Sequence, residues 1–572
     1  MPFFKKITKP LSLTHHCQHL SRLVASSAFQ FFALFGLWAF TLTYPLPLHL
    51  FSHIPLGDEK VGTVPFFNLW TLQWNIDQLM QGYPNYWDAP IFRPASGTFA
   101  FSEPQPLSAL LAAPLWLGFQ SPALGYNGLI ILFLILNGWF AYALLRSWGV
   151  AQLPAFLAGL LTQSLPFVAQ EMGVLQLAAI FGFLWILFFL SRILNSATEK
   201  LTWRNSFGLA LGAPVTFLTC SYYGLFTLLF LPVAFLFQLQ KKHLQLKTLG
   251  QLLTIGLLAL GLSGPFLMAQ NQRLTAYGFR RSAQTIENNS AQLKYYANFL
   301  DYNLLYGRIL NLRSGQGQRL FPGFGLIILA GLGFFGSLQK RIKAYLGLAV
   351  FLALILSLGL RLDIGGVLPY QWIRENIPGF SQLRSPFRFA VFVQLHLALL
   401  AGFGLHNLSR WFWPQPNRIL IPVIGLALFE VLALPLPLQS LPPFQTEAPW
   451  QSWLNEKNDS PRIILLPFAQ SSQVADFEQT TRWMLMNRHF QGTMVNGYSG
   501  FFPPDHARLR TGMTQFSIGE IFILLREKQV DYVVVFYDLA EISQIEIIKK
   551  YLPLVYHDES NKVDIYALKR QN

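Results

Sequence analysis

Charge is confined to the gaps between long apolar runs, and that pattern decides what this chain can fold into. The first run, residues 24–46, holds no charged residue and is long enough to cross a bilayer. Similar runs follow at 125–145, 152–169, 174–191, 205–220, 222–238, 247–269, 321–338, 344–360, 387–408 and 419–436. A soluble chain carries about a quarter charged residues; this one carries 12%, against 52% hydrophobic. The pattern predicts an α-helical integral membrane protein of about eleven transmembrane helices.

The basic residues give the direction of threading. Residues 1–23 hold Lys5, Lys6, Lys9 and Arg22 and no acid, which places a short tail in the cytoplasm. Later linkers alternate: Arg192, Lys200 and Arg204 share one, Lys241, Lys242 and Lys247 another, and 170–173 has no Lys or Arg. Basic linkers all fall inside only if the short run Pro106–Phe119 does not cross, so it is expected to be re-entrant or interfacial. A membrane domain over 24–438 then has a first outer loop at 47–124 and another at 270–320. Phe66–Met80, apolar at helical spacing, is expected to lie in the membrane interface. The formal net charge of +15 largely reflects this inner-side bias, which argues against a nucleic-acid partner. Cys17 and Cys220 have no metal-site or disulfide-framework spacing.

From about 439 to 572 the composition changes. A Pro-rich linker, 434–449, leads into strands at 462–467, 532–536 and 562–568 and a helix at 518–528. These predict a small extracytoplasmic α/β domain.

The candidate chemistry gathers in the outer turns. Asp58 and Glu59 open the first outer loop in Gly57-Asp58-Glu59-Lys60, where a carboxylate can deprotonate an acceptor hydroxyl. Glu171, in the tight outer turn 170–173, would complete an acidic site. Glu103 opens the short apolar run, where capping is the competing role. Arginine is disfavoured in short outer loops, yet Arg273, Arg280, Arg281, Arg308, Arg313 and Arg319 stand in one and Arg374, Arg384 and Arg388 in the next. Arg384 and Arg388 flank a helix entrance, where two guanidiniums suit a phosphate. Tyr222 and Tyr223 can stack on sugar rings, though tyrosines at this depth more often belong to an interfacial aromatic belt.

An acidic pair opening a long first outer loop, followed by many spans, resembles the GT-C glycosyltransferase superfamily. Asp58-Glu59 is similar to the Asp-Glu pair of protein O-mannosyltransferases and lipid A aminoarabinose transferases, and Glu171 stands where several members place a second acid. Ile91-Phe92-Arg93-Pro94, Tyr370–Phe389 and Asn496-Gly497-Tyr498-Ser499-Gly500 also resemble largely uncharacterised bacterial multipass proteins. The resemblance implies a polyprenyl-phosphate-linked sugar donor, inverting transfer to a lipid, glycan or protein acceptor, Asp58 as base, and the plasma (inner) membrane. Glu59 would support the base; Arg384 and Arg388, with Arg280 and Arg281, would hold the lipid phosphate. No Asp-x-Asp stands in the first outer loop. A divalent cation, magnesium or manganese, stays open, with Asp58 and Glu171 as its carboxylates. The competing reading is a lipid-linked saccharide transporter or flippase, or a non-catalytic membrane scaffold. A translocation path wants ionisable residues within spans, which are sparse here.

Overall fold

The computed structural model describes residues 27–568, apart from 195–201, 241–242, 244, 337, 444–445, 458–459 and 517. The basic tail 1–23 with Cys17, and Lys200, Lys241 and Lys242, lie outside the described residues. Each apolar run contains a helix: α1 Ser27–Leu42, then, past the first loop, α4 Pro122–Ser147, α5 Gln152–Gln163, α6 Phe181–Leu194, α7 Trp203–Phe217, α8 Ser221–Gln238, α9 Leu246–Ala276, α10 Phe324–Phe334, α11 Lys340–Ser357, α12 Ala390–Trp411 and α13 Asn417–Val431. Among the described residues, 6 helices are long and apolar enough to cross a membrane by length and composition. The others are shorter or carry terminal charge, as α11 does with Lys340, Arg341 and Lys343. At its centre, α12 is buried along most of its length and packs on α10, α11 and α5. By contrast, α9 exposes Leu246, Leu253, Leu257 and Leu260, a surface suited to lipid rather than water.

Within the first loop lie α2 Thr63–Gln81 and α3 Pro106–Gly118. The expectation for Phe66–Met80 is half met: a helix forms there, but most of it is buried rather than laid in an interface. It packs against α14, Glu478–Met486, of the C-terminal region, and against α3. Its polar face is buried too, because amides supply bonds that water otherwise would. Gln73 donates to the Leu485 carbonyl at 3.2 Å and Asn75 to the Pro104 carbonyl at 2.6 Å. Apolar spacing alone cannot distinguish a lipid surface from a protein one.

The region predicted as a Pro-rich linker also differs. Residues Leu438–Ser440 (β2) pair antiparallel with His53–Pro55 (β1), tying the end of the helical region to the first loop. Beyond it, a five-stranded mixed sheet runs β4-β3-β5-β7-β6. The strands are β3 Arg462–Leu466, β4 Thr493–Met494, β5 Tyr532–Phe536, β6 Leu554–Asp558 and β7 Val563–Ala567. The β3 pairings with β4 and β5 are parallel, and β7 runs antiparallel to both β5 and β6. The central strands are nearly continuous apolar runs, as strands covered on both faces are. The edge strands β4 and β6, short or half-exposed, carry no such signal.

Candidate active site

Two turns, far apart in sequence, are pressed together by glycine. The Asp58 N–H donates to the Gln170 carbonyl at 2.8 Å. Gly57 has φ +62°, and a Cβ there would meet the Gln170 carbonyl oxygen at 2.5 Å. A Cβ on Gly173 would meet the Leu56 carbonyl oxygen at 2.2 Å. Backbone cannot yield as a flexible side chain can, so Gly173→Ala is expected to destabilise by roughly 1–3 kcal/mol. It should also separate the 56–59 turn from Glu171. A lowered melting temperature in detergent, with turnover reduced alongside it, checks this.

Beside this junction is a cavity of about 390 Å³. The start of α2 contributes Val64, Phe67 and Asn68, and the 100–103 segment contributes Glu103. Tyr222 and Leu225 come from α8, Leu267 and Gln270 from α9, Arg281 from the segment after it, and Arg384 and Arg388 from the entrance to α12. Tyr498, Ser499, Gly500 and Phe501 close it from the C-terminal region. The lining combines three arginines and several amides with apolar side chains, among them Leu228, which is exposed on the surface of α8.

The carboxylates are not equivalent. Glu103 is on the wall, but both its oxygens are taken: Oε1 accepts from the Tyr222 N–H at 2.9 Å and Oε2 from Gln176 Nε2 at 2.7 Å. It thereby caps the first turn of α8. Burial raises its pKa, while Gln176, the Arg388 charge and the backbone donors oppose that rise. Glu171 accepts from Gln170 Nε2 at 2.8 Å, and its other oxygen lies 3.7 Å from the Arg388 guanidinium. Asp58 faces Lys60 at 3.8 Å; burial raises its pKa, and Lys60 and Arg319 pull it back. Among the described residues, no side-chain hydrogen bond or ion pair holds Glu59. Burial, then the Glu171 charge, push its carboxyl up to about 7, against Arg388 and Arg384.

The arginines divide in the same way. Arg388 is buried and lies over the Tyr222 ring at 4.5 Å as well as beside Glu171. Arg281 lies 3.7 Å over the Phe501 ring and donates to the Gly500 carbonyl at 2.5 Å. Burial lowers its pKa to about 10, so it stays a cation at neutral pH. Arg384 is half-buried on the wall, and its guanidinium has no hydrogen bond or ion pair among the described residues.

The structure thus gathers Glu103, Tyr222, Arg281, Arg384 and Arg388 around the cavity; Asp58, Glu59 and Glu171 are not on its lining, although the charges of Glu171, Arg388 and Arg384 act on Glu59. It does not bring the rest to the cavity. Tyr223 is fully buried and donates to the Leu177 carbonyl at 2.6 Å, a packing role. Arg280 is exposed and off the wall. Arg273 lies over Trp87, and Arg319 pairs with Asp301. Among the described residues no group of three or more His, Cys, Asp or Glu is placed to hold a metal ion, so Asp58 and Glu171 gain no third ligand. The amides Asn68, Gln105 and Gln176 form a chain leading to Glu103, with Gln105 donating to Asn68 at 2.8 Å and to Gln176 at 3.2 Å. Sequence reasoning missed them because amides carry no charge signal. The 496–500 motif was visible, but its turn chemistry gave no sign that it would close this cavity.

No protein-family model and no curated protein matches the sequence. Solved structures do. The arabinofuranosyltransferase AftD from Mycobacteria matches with a TM-score of 0.58 at 15% identity, covering 95% of this chain and 40% of AftD. The oligosaccharyltransferase AglB from Archaeoglobus fulgidus, solved with an inhibitory peptide and a dolichol-phosphate, matches at 0.45 and 13% identity, over 97% of this chain and 75% of AglB. ArnT from Cupriavidus metallidurans, bound to undecaprenyl phosphate, matches at 0.49 and 12% identity, over 94% of this chain and 97% of ArnT. The chain spans about two fifths of the length of AftD. Over nearly all of its length, the chain shares its fold with the arabinofuranosyltransferase AftD.

Proposed function

We propose that this protein transfers a sugar from a polyprenyl-phosphate donor to an acceptor hydroxyl at the outer face of the plasma membrane. The observation that carries this is the mixed lining of the cavity: Arg281, Arg384 and Arg388 together with the apolar Leu225, Leu228 and Leu267 of α8 and α9, of which Leu228 is exposed. A phosphate bearing a long apolar chain combines the same two characters. Arg384 and Arg281 would hold the phosphate, and the α8–α9 flank would take the first lipid units. The acceptor oxygen forms the new bond to the anomeric carbon. The bond from that carbon to the phosphate oxygen breaks, and its electron pair leaves with the phosphate. The acceptor proton passes to a carboxylate of the Asp58–Glu59 pair. Glu59 is the freer candidate, because Glu103 and Glu171 already accept hydrogen bonds and Asp58 faces Lys60; it lies off the cavity lining, so the acceptor hydroxyl would have to reach toward it. The buried guanidinium of Arg388 stabilises charge developing on the phosphate.

The test is turnover of radiolabelled polyprenyl-phosphate sugars by purified protein in detergent, with Arg384→Ala alongside. Transfer or hydrolysis of one donor is expected. Arg384→Ala should raise its KM about tenfold or more, the scale of a lost charge-assisted contact, with the melting temperature unchanged because the guanidinium makes no hydrogen bond or ion pair among the described residues. Donors that bind and never turn over would move the assignment to a transporter or scaffold.

A further inference from the structure

The end of α12 away from the cavity borders a second depression, of about 520 Å³, that the transfer chemistry does not use. From Ala390 to Trp411 the helix has 22 residues, about 33 Å at 1.5 Å per residue. That matches the hydrocarbon core of a bilayer and sets this end at the membrane face opposite the cavity. Three turns meet here. His406 Nδ1 accepts from the Ala151 N–H, just before α5, at 3.1 Å. Asn407 donates to the Leu332 carbonyl of α10 at 2.9 Å. Residues 412–416 then lead into α13. Charge at this end has one sign. Arg146, Lys340, Arg341, Lys343, Arg410 and Arg418 stand in or beside these turns, and no Asp or Glu occurs in 146–154, 334–344 or 405–420.

The lining is rich in free donors. Arg410 is exposed, and its guanidinium makes no hydrogen bond or ion pair among the described residues. Because His406 Nδ1 is an acceptor, the neutral ring carries its proton on Nε2, which has no hydrogen-bond partner among the described residues. His406 and Arg410 are four residues apart on α12 and so share one face. Asn417 opens α13, whose dipole favours negative charge at that end. The same lining includes the apolar Leu153, Pro154 and Leu420. Trp411, Phe412 and Trp413 are exposed in a row, as aromatic side chains at the level of lipid headgroups are. A free phosphate would satisfy the donors and leave the apolar lining and the aromatic row without a role. No carboxylate lines the depression to pair with the ammonium of a zwitterionic headgroup. We propose that this depression holds the headgroup of an anionic phospholipid, its phosphate oxygens on Arg410 and the His406 Nε2–H and its glycerol end against Leu153 and Leu420.

The test uses the purified full chain in an uncharged detergent, titrated with phosphatidylglycerol and with phosphatidylcholine of the same acyl chains. Native mass spectrometry reads the lipid retained, and a thermal melt reads its effect on the fold. Phosphatidylglycerol is expected to bind about tenfold more tightly than phosphatidylcholine and to raise the melting temperature. Arg410→Ala should weaken it about tenfold and Trp413→Ala about threefold, neither changing the lipid-free melting temperature, since both positions are exposed. Arg341→Ala, also exposed at this end but off the lining, should leave the affinity as it was. Equal binding of the two lipids overturns the site, and so does binding that ignores both lining variants. Equal losses in Arg410→Ala and Arg341→Ala would mean attraction by the charged face at large and overturn it too. Displacement of phosphatidylglycerol by millimolar inorganic phosphate would make it a free-phosphate site and remove the lipid. None of these readouts involves a sugar donor, so the site stands or falls apart from the function proposed above.

Discussion

Glu59→Gln is expected to lower sugar transfer at least about a hundredfold, the scale of a lost general base. The substitution keeps the side chain's shape and removes only its ability to take a proton. Asp58→Asn should cost less, because Asp58 faces Lys60 and the 301–319 loop rather than the arginines of the cavity. A larger loss in Asp58→Asn than in Glu59→Gln would reverse the assignment within the pair. The pH profile is an independent readout. The Glu59 carboxyl is pushed up to about 7, so the reactive carboxylate is scarce below that pH, and kcat/KM should rise as pH increases through it. The effect on stability has the opposite sign. The folded state binds this proton more tightly than the unfolded chain does, where the value is 4.5. The contribution is therefore fully present below the unfolded value and is lost as pH rises through about 7. Glu59→Gln should then melt at a higher temperature than the wild type at about pH 8, with the difference shrinking toward acid. A base that limits activity while its charge burdens the fold would show both trends in one variant.

Arg388→Met should be the most destabilising single change at the site. The guanidinium is 8% exposed and the Glu171 carboxylate beside it 10%. Removing one partner of a buried pair leaves the other uncompensated, at a cost of about 3–5 kcal/mol. Arg388 also lies over the Tyr222 ring, and Tyr222 fixes the next turn by accepting from the Arg384 N–H at 3.2 Å. The loss should therefore spread to Arg384 and abolish turnover as well as lower the melting temperature. Adding Glu171→Gln to Arg388→Met should recover part of the stability and none of the turnover, since the burdened charge is gone while the phosphate has lost its partner. An unchanged melting temperature in the single variant would make Arg388 a ligand-holding group like Arg384. The two arginines, one in the extended segment before the Pro386–Phe389 turn and one within it, would then differ less than their surroundings say.

Much of this was legible in the chain. Long uncharged runs determine helices wherever the backbone has no water to bond to, and every such run carries one. The acidic pair in 57–60, the acid in 170–173 and the arginine pair at 384 and 388 stand out because charge is rare here and each falls at a run's end. What stayed hidden depended on contacts between distant segments. The helix over Thr63–Gln81 has the same spacing whether it faces lipid or protein, and only the packing of α14 against it decides that it is buried. The Pro-rich stretch after α13 becomes a strand because β1 lies alongside.

The sequence by itself determined a multipass helical protein with carboxylates and arginines in the turns between its helices, since hydropathy and charge are local properties. Only the tertiary structure decided how those charges divide. It left Glu103 as a cap, Glu171 as a counter-ion, Tyr223 and Arg280 off the cavity, and Glu59 and Arg384 without partners among the described residues. The reason is physical: a side chain's protonation and its freedom to meet a ligand depend on burial and on neighbours. Those neighbours come from turns joined across the fold by close backbone contacts such as Gly57 on Gln170 and Gly173 on Leu56.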